Sequence, residues 1–313
     1  MRALIAKQRG AKGVIADVPI PRPELDEVLV RVIAAAVNPI DWKSIEHGDV
    51  EFPKVMGQDF AGVVVQTGEG VHALREDDRV FGIARRHGAF AEYTVVPQND
   101  REQPVAVMPD DIDDVDAAAL PTAGLTALAG VETLKLKKGD TVLILGVSGG
   151  VGSIAAQIAL RRGLRVIGTA SSKSAEFVRS LGDVEFVPYD LEEPVSAALF
   201  RTDGGVDGVL DLVDGPDQVK VISEAIKPGG SIVSTIGALD EEWFAQRKIT
   251  ATNLVMAQTP RSSPEGLLEL ARMIERGELV VKIAEEPVLD EAPAALETSK
   301  SGSTNGKIVV HVR

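Results

Sequence analysis

From about residue 140 onward, short apolar runs alternate with longer segments in which apolar residues recur at helical spacing. The runs consist largely of Val, Ile and Leu, without the polar alternation of a strand that has one face in water. This pattern predicts parallel strands with helices on both faces, an α/β fold. The predicted strands are 141–145, 165–170, 184–188, 206–213, 229–237 and 248–256; one helix begins near 150, and others cover 174–181, 218–226 and 264–279.

The first third of the chain has a different pattern. Runs with strand character at 28–37, 60–68 and 90–97 end in Gly or Pro turns, which predicts an irregular β-rich unit. At 108–134, clustered Asp residues precede apolar residues at helical spacing, so we interpret the acidic run as a capped first helical turn. The terminal strand 306–312 is expected to return to the β-rich unit. The predicted domains are therefore 1–115 with 280–313, and 116–279.

Charge and composition narrow the function classes. The 33 basic and 47 acidic residues give a net charge of −14, which disfavours nucleic acid and anionic membranes as partners. No apolar run approaches the ~18 residues of a membrane span, and the N-terminus lacks a signal-peptide core, so we expect a cytoplasmic protein. The chain has no Cys, which excludes disulfides, thiol catalysis and cysteine zinc sites, and its four His disfavour a histidine-rich metal site.

The strand predicted at 141–145 runs directly into Gly146, Gly149, Gly150 and Gly152, and then into a helix of small residues. The strand, turn, helix and following strand span about 30 residues, the size of a dinucleotide-binding βαβ unit. One glycine permits the tight turn, one lets the backbone approach a pyrophosphate, and one lets the helix pack closely. The helix start then offers free N–H groups to the phosphates. We therefore predict a nucleotide site; the alternative is a structural turn without a ligand.

The end of the next strand indicates which nucleotide is bound. An NAD site usually has Asp or Glu about 20 residues after the glycines, to bind the ribose 2′-OH. Here the chain has Thr169, Ala170, Ser171, Ser172 and Lys173 instead. Hydroxyls and an ammonium group suit a 2′-phosphate, so NADP(H) is predicted over NAD(H). Alternatively, one of the serines caps the following helix and the lysine is simply solvated.

Several segments, in order, resemble the medium-chain dehydrogenase/reductase superfamily, in particular its zinc-independent quinone oxidoreductase-like branch. They are NPIDWK (38–43), MGQDFAGVV (56–64), DDRVFG (77–82), GAFAEYTVVP (88–97), LPTAGLTAL (120–128), LGVSGGVGSIAAQIA (145–159), IKPGGSIVS (226–234) and NGKIVVHV (305–312). The resemblance implies a GroES-like β domain that carries the substrate face, a Rossmann domain, and NADPH in a cleft between them. It also implies a homodimer.

Zinc alcohol dehydrogenases of this superfamily have Gly-His-Glu where this chain has Gly57, Gln58 and Asp59, and cysteines supply further metal ligands. The resemblance therefore implies no metal site, and hydride transfer from NADPH to a quinone or an α,β-unsaturated carbonyl. Within the enzyme class, the alternative is a reductase of one specific unsaturated metabolite. Outside it, the alternative is an NADPH-binding redox sensor or interaction protein with little turnover.

The resemblance also implies which residues contact the cofactor. The pyrophosphate is expected at the glycine turn, the 2′-phosphate at the ends of the next two strands, and the nicotinamide near residues from several segments. The implied residues are Ser148, Gly149, Gly150 and Val151 at the turn; Thr169, Ser171, Ser172, Lys173 and Tyr189 at the strand ends; and Thr126, Val213, Gly237 and Asn305 toward the nicotinamide. Asp214 stands where a glycine is common in the family, which affects either the cofactor contacts or only the surface.

Three residues are candidates for a catalytic role. Asn38 resembles an asparagine beside the reactive ring, where its amide would orient substrate or cofactor, and Asp41 is expected to brace its loop rather than to transfer a proton. The tyrosine and arginine often found just after this Asp are missing, and Lys43 stands roughly where that tyrosine would be. Lys43 and His47 are the local candidates for a proton donor, with surface roles as the alternative. Tyr93 is interpreted as a packed β-domain residue, and water is a further proton source.

Overall fold

The computed structural model describes residues 1–48 and 50–312. The β-strands are β1 Arg2–Ala6, β2 Val14–Asp17, β3 Glu27–Val37, β4 Lys54–Val55, β5 Asp59–Thr67, β6 Arg79–Ile83, β7 Tyr93–Pro97, β8 Val105–Val107, β9 Thr141–Leu145, β10 Arg165–Ala170, β11 Val184–Pro188, β12 Val206–Asp211, β13 Ile226–Ser234, β14 Thr250–Asn253, β15 Ile283–Glu285 and β16 Lys307–His311. The α-helices are α1 Pro39–His47, α2 Asp114–Ala119, α3 Pro121–Thr133, α4 Gly150–Arg161, α5 Ala175–Arg179, α6 Pro194–Arg201, α7 Pro216–Ile222, α8 Glu241–Ala245, α9 Pro264–Glu275 and α10 Ala292–Ser301.

The chain folds as two compact units. The first comprises Met1–Leu125, Ala257–Gly277 and Val281–Arg313. Its main sheet is curled and has the order β15-β16-β3-β5-β6-β8, and β7 also pairs with β3; a smaller sheet has the order β2-β1-β4. β3 is the longest strand of the main sheet and most of its side chains are buried, which explains the nearly continuous apolar run at 28–37. The tail does return to this unit, because β16 pairs antiparallel with β3.

The second unit comprises Thr126–Met256 and Glu278–Val280. Its sheet has the order β11-β10-β9-β12-β13-β14, and every pair of neighbours is parallel. This is the strand order of a Rossmann fold, and it reverses direction between β9 and β12, where such sheets bind ligands. The strands predicted between 141 and 256 are present, and the α/β fold with a β-rich first unit is confirmed.

Helix α1 corrects the expectation that Asp41 lies in a loop. The local signals for a helix are all present. Asn38 is the N-cap, Pro39 is the first helical residue, and the carboxylate of Asp41 accepts a hydrogen bond from the backbone N–H of Asn38 at 2.8 Å. The helix has nine residues, and Ile45 is the apolar one that is buried. Apolar residues therefore do not recur at helical spacing in this segment of the sequence.

The units also divide the chain at different residues from the predicted domains. The first unit takes in 116–125 and 257–277, which contain the end of α2 and all of α9. The packing of α9 gives the reason, since it lies beside β8 of the first unit. A Cβ atom on Gly124 would lie 2.7 Å from Leu270 of this helix, which shows how closely the two segments pack. Across the described residues, the helices are too short or too polar to cross a membrane.

Candidate functional site

The glycine turn joins β9 to α4 at the switch point of the parallel sheet. Gly146 follows the strand with a φ of +81°, a backbone conformation that glycine adopts at little cost. Its N–H is 3.2 Å from both the carbonyl oxygen and the side-chain oxygen of Thr169, and the N–H of Val147 donates to the same carbonyl at 2.9 Å. Thr169 is buried and braces the turn from the neighbouring strand β10.

Gly149 and Gly152 of the turn differ in whether the packing of the protein requires glycine. A Cβ on Gly152 would lie 2.2 Å from the carbonyl oxygen of Gly146, so close packing of α4 on the turn requires glycine there. A Cβ on Gly149 would meet the same oxygen at 3.5 Å, which is an ordinary contact, so the protein's own packing does not require glycine at this position. Glycine at 149 therefore leaves open space in front of the helix.

The start of α4 suits an anion. Gly149 is its N-cap and offers no side-chain cap, and the first turn of the helix contains no acidic residue. The first N–H groups and the positive end of the helix dipole are therefore not satisfied by a capping side chain or an acidic residue of the helix itself. Ser148, Gly150 and Val151 are half-buried around this opening. The sequence predicts a dinucleotide pyrophosphate at these residues, and this assignment stays a prediction.

The residues predicted around the 2′-phosphate lie together at the carboxyl ends of β10 and β11. Tyr189 is 57% exposed, and its backbone N–H donates to the carbonyl of Ala170 at 3.1 Å, which ties the two strand ends together. Lys173 is exposed, and Ser171 caps the short 3-10 turn Ser172–Ser174, as the alternative interpretation of the serines expected.

Sequence analysis did not identify Asp190 as a member of this group. The backbone N–H of Ser172 donates to its carboxylate at 2.7 Å, and the Ser172 hydroxyl donates to the other oxygen at 2.6 Å. These hydrogen bonds lower the pKa of Asp190, so its carboxylate is ionised at neutral pH. A negative charge therefore stands at the place where the sequence predicts a phosphate.

At the ends of β12 and β13, Asp211 organises the next loop. This buried carboxylate accepts hydrogen bonds from the backbone N–H of Val213 at 3.1 Å, from that of Asp214 at 2.9 Å, and from the Ser234 hydroxyl at 2.7 Å. Val213 lies against the glycine turn, 2.7 Å from where a Cβ on Gly146 would be. The structure thus brings the predicted residue 213 to the turn.

Asp214 is the residue that replaces the glycine common in the family. Burial, and then the nearby charge of Asp211, raise the pKa of Asp214 to about 6. Its position in this loop places it at the carboxyl edge of the parallel sheet. Gly237 follows β13 at the same edge with a φ of +75°. Thr126 begins the second unit within α3, whereas Asn305 precedes β16 in the first unit.

The first unit contains a buried polar cluster, which we define as Asn38, Asp59, Thr122 and Lys307. The Asn38 amide nitrogen donates to Asp59 at 2.8 Å, and its amide oxygen accepts from the Lys307 ammonium at 2.5 Å. Thr122 donates to Asp59 twice, from its hydroxyl at 2.6 Å and from its backbone N–H at 3.0 Å. Asn38 is 3% exposed. Its amide is thus occupied by protein groups, whereas the sequence suggested a role toward substrate or cofactor.

The charges of this cluster are coupled. Burial raises the pKa of Asp59 and lowers the pKa of Lys307, and the attraction between the two opposite charges opposes both shifts. The hydrogen bonds that Asp59 accepts from Thr122 and Asn38 also favour its ionised form. The cluster therefore replaces the hydration that both charges lose on burial.

Asp41 and Lys43, the other predicted catalytic residues, lie in α1. Asp41 is 2% exposed and caps the helix through one carboxyl oxygen, as the bracing role predicts. Its Oδ1 is buried and has no hydrogen-bond partner among the residues that the structure describes. Burial raises the pKa of Asp41 to about 8. Lys43 lies against Trp42, with its ammonium 5.5 Å from the ring centre. His47 is exposed and 3.6 Å from Glu46. The structure therefore joins Asp41 to Asn38 and directs Lys43 to a neighbouring ring.

Sequence analysis missed Asp59, Thr122, Lys307, Asp190 and Asp211 as residues that build these sites. A usable signal was present for three of them. Asp59 and Lys307 each begin a buried apolar strand, and Asp211 ends one, and a charged residue in such a position needs a buried partner. Among the residues that the structure describes, no three His, Cys, Asp or Glu side chains group together as metal ligands would.

Comparison with known proteins agrees with this architecture. Residues 24–110 match the alcohol dehydrogenase GroES-like domain family, and residues 181–310 match the zinc-binding dehydrogenase family. A 2-methylene-furan-3-one reductase from Solanum lycopersicum is 32% identical, over 94% of this chain and 74% of that protein. A chloroplast envelope quinone oxidoreductase homolog from Arabidopsis thaliana is 30% identical, over 94% of this chain and 92% of that protein.

A solved structure, the quinone oxidoreductase from Coxiella burnetii, superposes with a TM-score of 0.89 at 31% identity, covering 100% of this chain and 99% of that one. The match therefore extends over both units, in sequence and in fold. Together with the glycine turn and the switch point of the second unit, it places the protein in a family of nicotinamide-dependent oxidoreductases. The chain belongs to the medium-chain dehydrogenase/reductase superfamily, in its quinone oxidoreductase-like branch.

Proposed function

We propose that this protein is an NADPH-dependent reductase that transfers hydride to a quinone or an α,β-unsaturated carbonyl without a metal ion. The observation that carries the proposal is the open space at Gly149 in front of α4. Glycine there serves no packing need of the protein, so a ligand that approaches the helix start closely is the best reason for it. In a Rossmann sheet, that ligand is a dinucleotide.

The preference for NADPH rests on the residues that follow β10. Ser171, Ser172 and Lys173 lie at the carboxyl edge of the sheet, directly after the strand next to the glycine turn. Lys173 provides an exposed positive charge for a 2′-phosphate, and Ser171 provides a hydroxyl group beside it. No acidic residue occupies the position directly after β10, where an NAD-binding protein usually has one.

The absence of a zinc requirement rests on the chemistry of the residues at 57–59. Gln58 offers a neutral amide where a zinc enzyme of the superfamily has a histidine, and the chain contains no thiol. Asp59 is fully buried, and its carboxylate already accepts hydrogen bonds from Asn38 and Thr122. These residues do not fit a zinc ion, so the reaction has no metal to polarise an alcohol or a ketone.

The substrate class follows from what hydride transfer needs in the absence of a Lewis acid. The relatives are named for a methylene-furanone, which is a conjugated enone, and for quinones. Both substrates carry a carbon–carbon double bond conjugated to a carbonyl. Conjugation makes the carbon at the far end of that double bond electrophilic without the help of a metal ion. When bound, NADPH supplies hydride from the nicotinamide C4. The chain's own contribution is to bind the phosphates at α4 and to fix the orientation of the reactants.

The remaining step is protonation of the product oxyanion or enolate. Lys43 and His47 are the donor candidates from the chain, and water is the third source. Asn38 and Asp41 act as positioning residues, because their polar groups hold the start of α1. A cytoplasmic location and a homodimer stay predictions.

Turnover with a panel of quinones and enones tests the proposal. Purified protein is mixed with NADPH and each electrophile in the presence of a metal chelator, and the loss of reduced-nicotinamide absorbance is followed. We expect turnover with at least one electrophile, and an unchanged rate when the chelator is omitted. Tight NADPH binding without turnover would favour the redox sensor instead. Alcohol oxidation that appears when zinc is added would contradict the metal-free assignment.

A further inference from the structure

Asp190 accepts both hydrogen bonds that Ser172 would otherwise have available for a phosphate. We propose that Asp190 is a cofactor-selectivity residue, whose carboxylate competes with the 2′-phosphate of NADPH for Ser172 and thereby allows the site to use NADH as well. This role rests on the proposed function, since it concerns the same nucleotide site.

The geometry arises from two adjacent parallel strands. β10 and β11 are paired in register up to Ala170 and Pro188, the last residues of the two strands. Ser172 and Asp190 each lie two residues beyond that pair, so their side chains meet beyond the carboxyl edge of the sheet. Asp190 accepts both hydrogen bonds that Ser172 offers, one from the backbone N–H at 2.7 Å and one from the hydroxyl at 2.6 Å.

This arrangement changes what the site offers to a ligand. With its proton directed to Asp190, the Ser172 hydroxyl has only lone pairs left, and phosphate oxygens need donors. The ionised carboxylate also repels a phosphate. A ribose 2′-OH, in contrast, can donate to a carboxylate, which is how acidic residues in NAD sites bind that sugar. In this protein the carboxylate comes from the end of β11, rather than from the end of β10 where NAD sites usually have it.

Lys173 acts in the opposite direction. Its charge favours the 2′-phosphate, and it also attracts Asp190. Because Asp190 is exposed, its side chain can rotate away when NADPH binds and release Ser172. The site therefore contains one residue that favours each cofactor, Lys173 for NADPH and Asp190 for NADH. We therefore expect the native protein to bind NADPH and NADH with dissociation constants that differ by less than about tenfold.

Asp190→Asn tests this role in the full-length protein. It removes the charge but keeps an acceptor for the Ser172 N–H, and dissociation constants for NADPH and NADH are measured by fluorescence titration. We expect NADPH to bind about three- to thirtyfold more tightly, as estimated from the removal of repulsion between exposed charges. NADH is expected to bind equally or more weakly. Asp190→Ala, which removes the competing acceptor altogether, should shift the ratio in the same direction.

Asp183→Asn is the matched control. Asp183 is exposed and directly precedes β11, whereas Asp190 follows it. The variant therefore makes the same change in net charge at the other end of this five-residue strand, whose length is roughly 16 Å. We expect an unchanged cofactor ratio. An unchanged ratio in both Asp190 variants, or an equal change in Asp183→Asn, would overturn the role of Asp190 and leave the proposed function intact. A native protein that binds neither nucleotide would contradict the proposed function itself.

Discussion

The ammonium group of Lys307 donates a hydrogen bond to the side-chain oxygen of Asn38 at 2.5 Å, across 269 positions of the sequence. It donates a second bond to the carbonyl of Val37 at 2.8 Å. Lys307 begins β16 and Asn38 caps α1, so this contact fixes the start of the helix to the sheet of the first unit. The Asn38 amide nitrogen extends the connection to Asp59. The side-chain amide of Asn38 therefore has a structural role, in linking α1 to β16 and β5.

Lys307→Met should destabilise the protein strongly. The substitution keeps much of the side-chain length but leaves the Asn38 oxygen without its donor and the buried Asp59 without its compensating charge. Removing one partner from a buried charged network typically costs about 3–5 kcal/mol of unfolding free energy. Urea denaturation measures this loss.

Lys300→Met is the control for that experiment. Lys300 pairs with Glu46 on the surface of the same unit, and we expect its loss to cost far less stability than the loss of Lys307, because water screens exposed ion pairs. If the two variants lost equal stability, Lys307 would not have the role described.

Asp41 should make stability depend on pH. Burial raises its pKa from 3.8 to about 8, so the folded protein holds a proton that the unfolded chain releases. The stabilisation is fully present below about pH 4, and is lost as pH rises toward about 8, with a slope of up to about 1.4 kcal/mol per pH unit.

Asp41→Asn should flatten this dependence, because the amide does not titrate and its oxygen can still accept from the Asn38 N–H. The unfolding free energy is measured by urea denaturation between about pH 6.5 and 8, above the pKa of about 6 of Asp116 and Asp214. Asp17→Asn, on β2, controls for the change in net charge. A slope identical to that of the native protein would show that Asp41 is already ionised in this range.

Gly149→Ala and Gly152→Ala should separate binding from folding. The methyl group on Gly149 meets only an ordinary contact, so we expect less than about 1 kcal/mol of destabilisation, but at least about tenfold weaker NADPH binding. The methyl group on Gly152 would collide with the backbone of the turn, and we expect a loss of up to about 3 kcal/mol. Thermal unfolding and cofactor titration give the two quantities. If Gly149→Ala left the NADPH affinity unchanged, the pyrophosphate would lie elsewhere.

Lys173→Glu should weaken NADPH binding far more than NADH binding, by about tenfold or more, because it places a negative charge beside the 2′-phosphate. Lys138→Glu makes the same charge change at an exposed position before β9, at the amino end of the sheet, and should leave the ratio unchanged. Titrations with both cofactors provide the comparison. Equal weakening of the two nucleotides by Lys173→Glu would remove the 2′-phosphate from this part of the site.

The glycine turn could be predicted because its signals are local. The buried run of β9, the turn and α4 follow one another directly, and the residues of each segment are enough to indicate its conformation. The buried cluster could not be predicted in the same way, since Asn38 and Lys307 meet only through the pairing of β16 with β3. Asp190 was missed for a related reason. The usual rule inspects the end of the second strand, whereas this carboxylate comes from the third.

Helix α1 is an intermediate case. The N-cap Asn38, Pro39 and Asp41 are adjacent in the sequence and form a recognisable helix start. What the sequence lacks is an apolar period, because the buried face of this short helix includes the carboxyl group of Asp41. Capping signals alone would therefore have identified the helix.

Transfer of deuterium from NADPH labelled at the nicotinamide C4 tests the central claim most directly. The labelled cofactor is incubated with the protein, a metal chelator and α,β-unsaturated ketones or quinones in ordinary water, and the products are analysed by mass spectrometry. The account predicts a saturated ketone with one deuterium at the former β-carbon, from one face of the nicotinamide only, or a hydroquinone formed in equal amount to the cofactor oxidised. A protein that binds NADPH but yields neither product would contradict it.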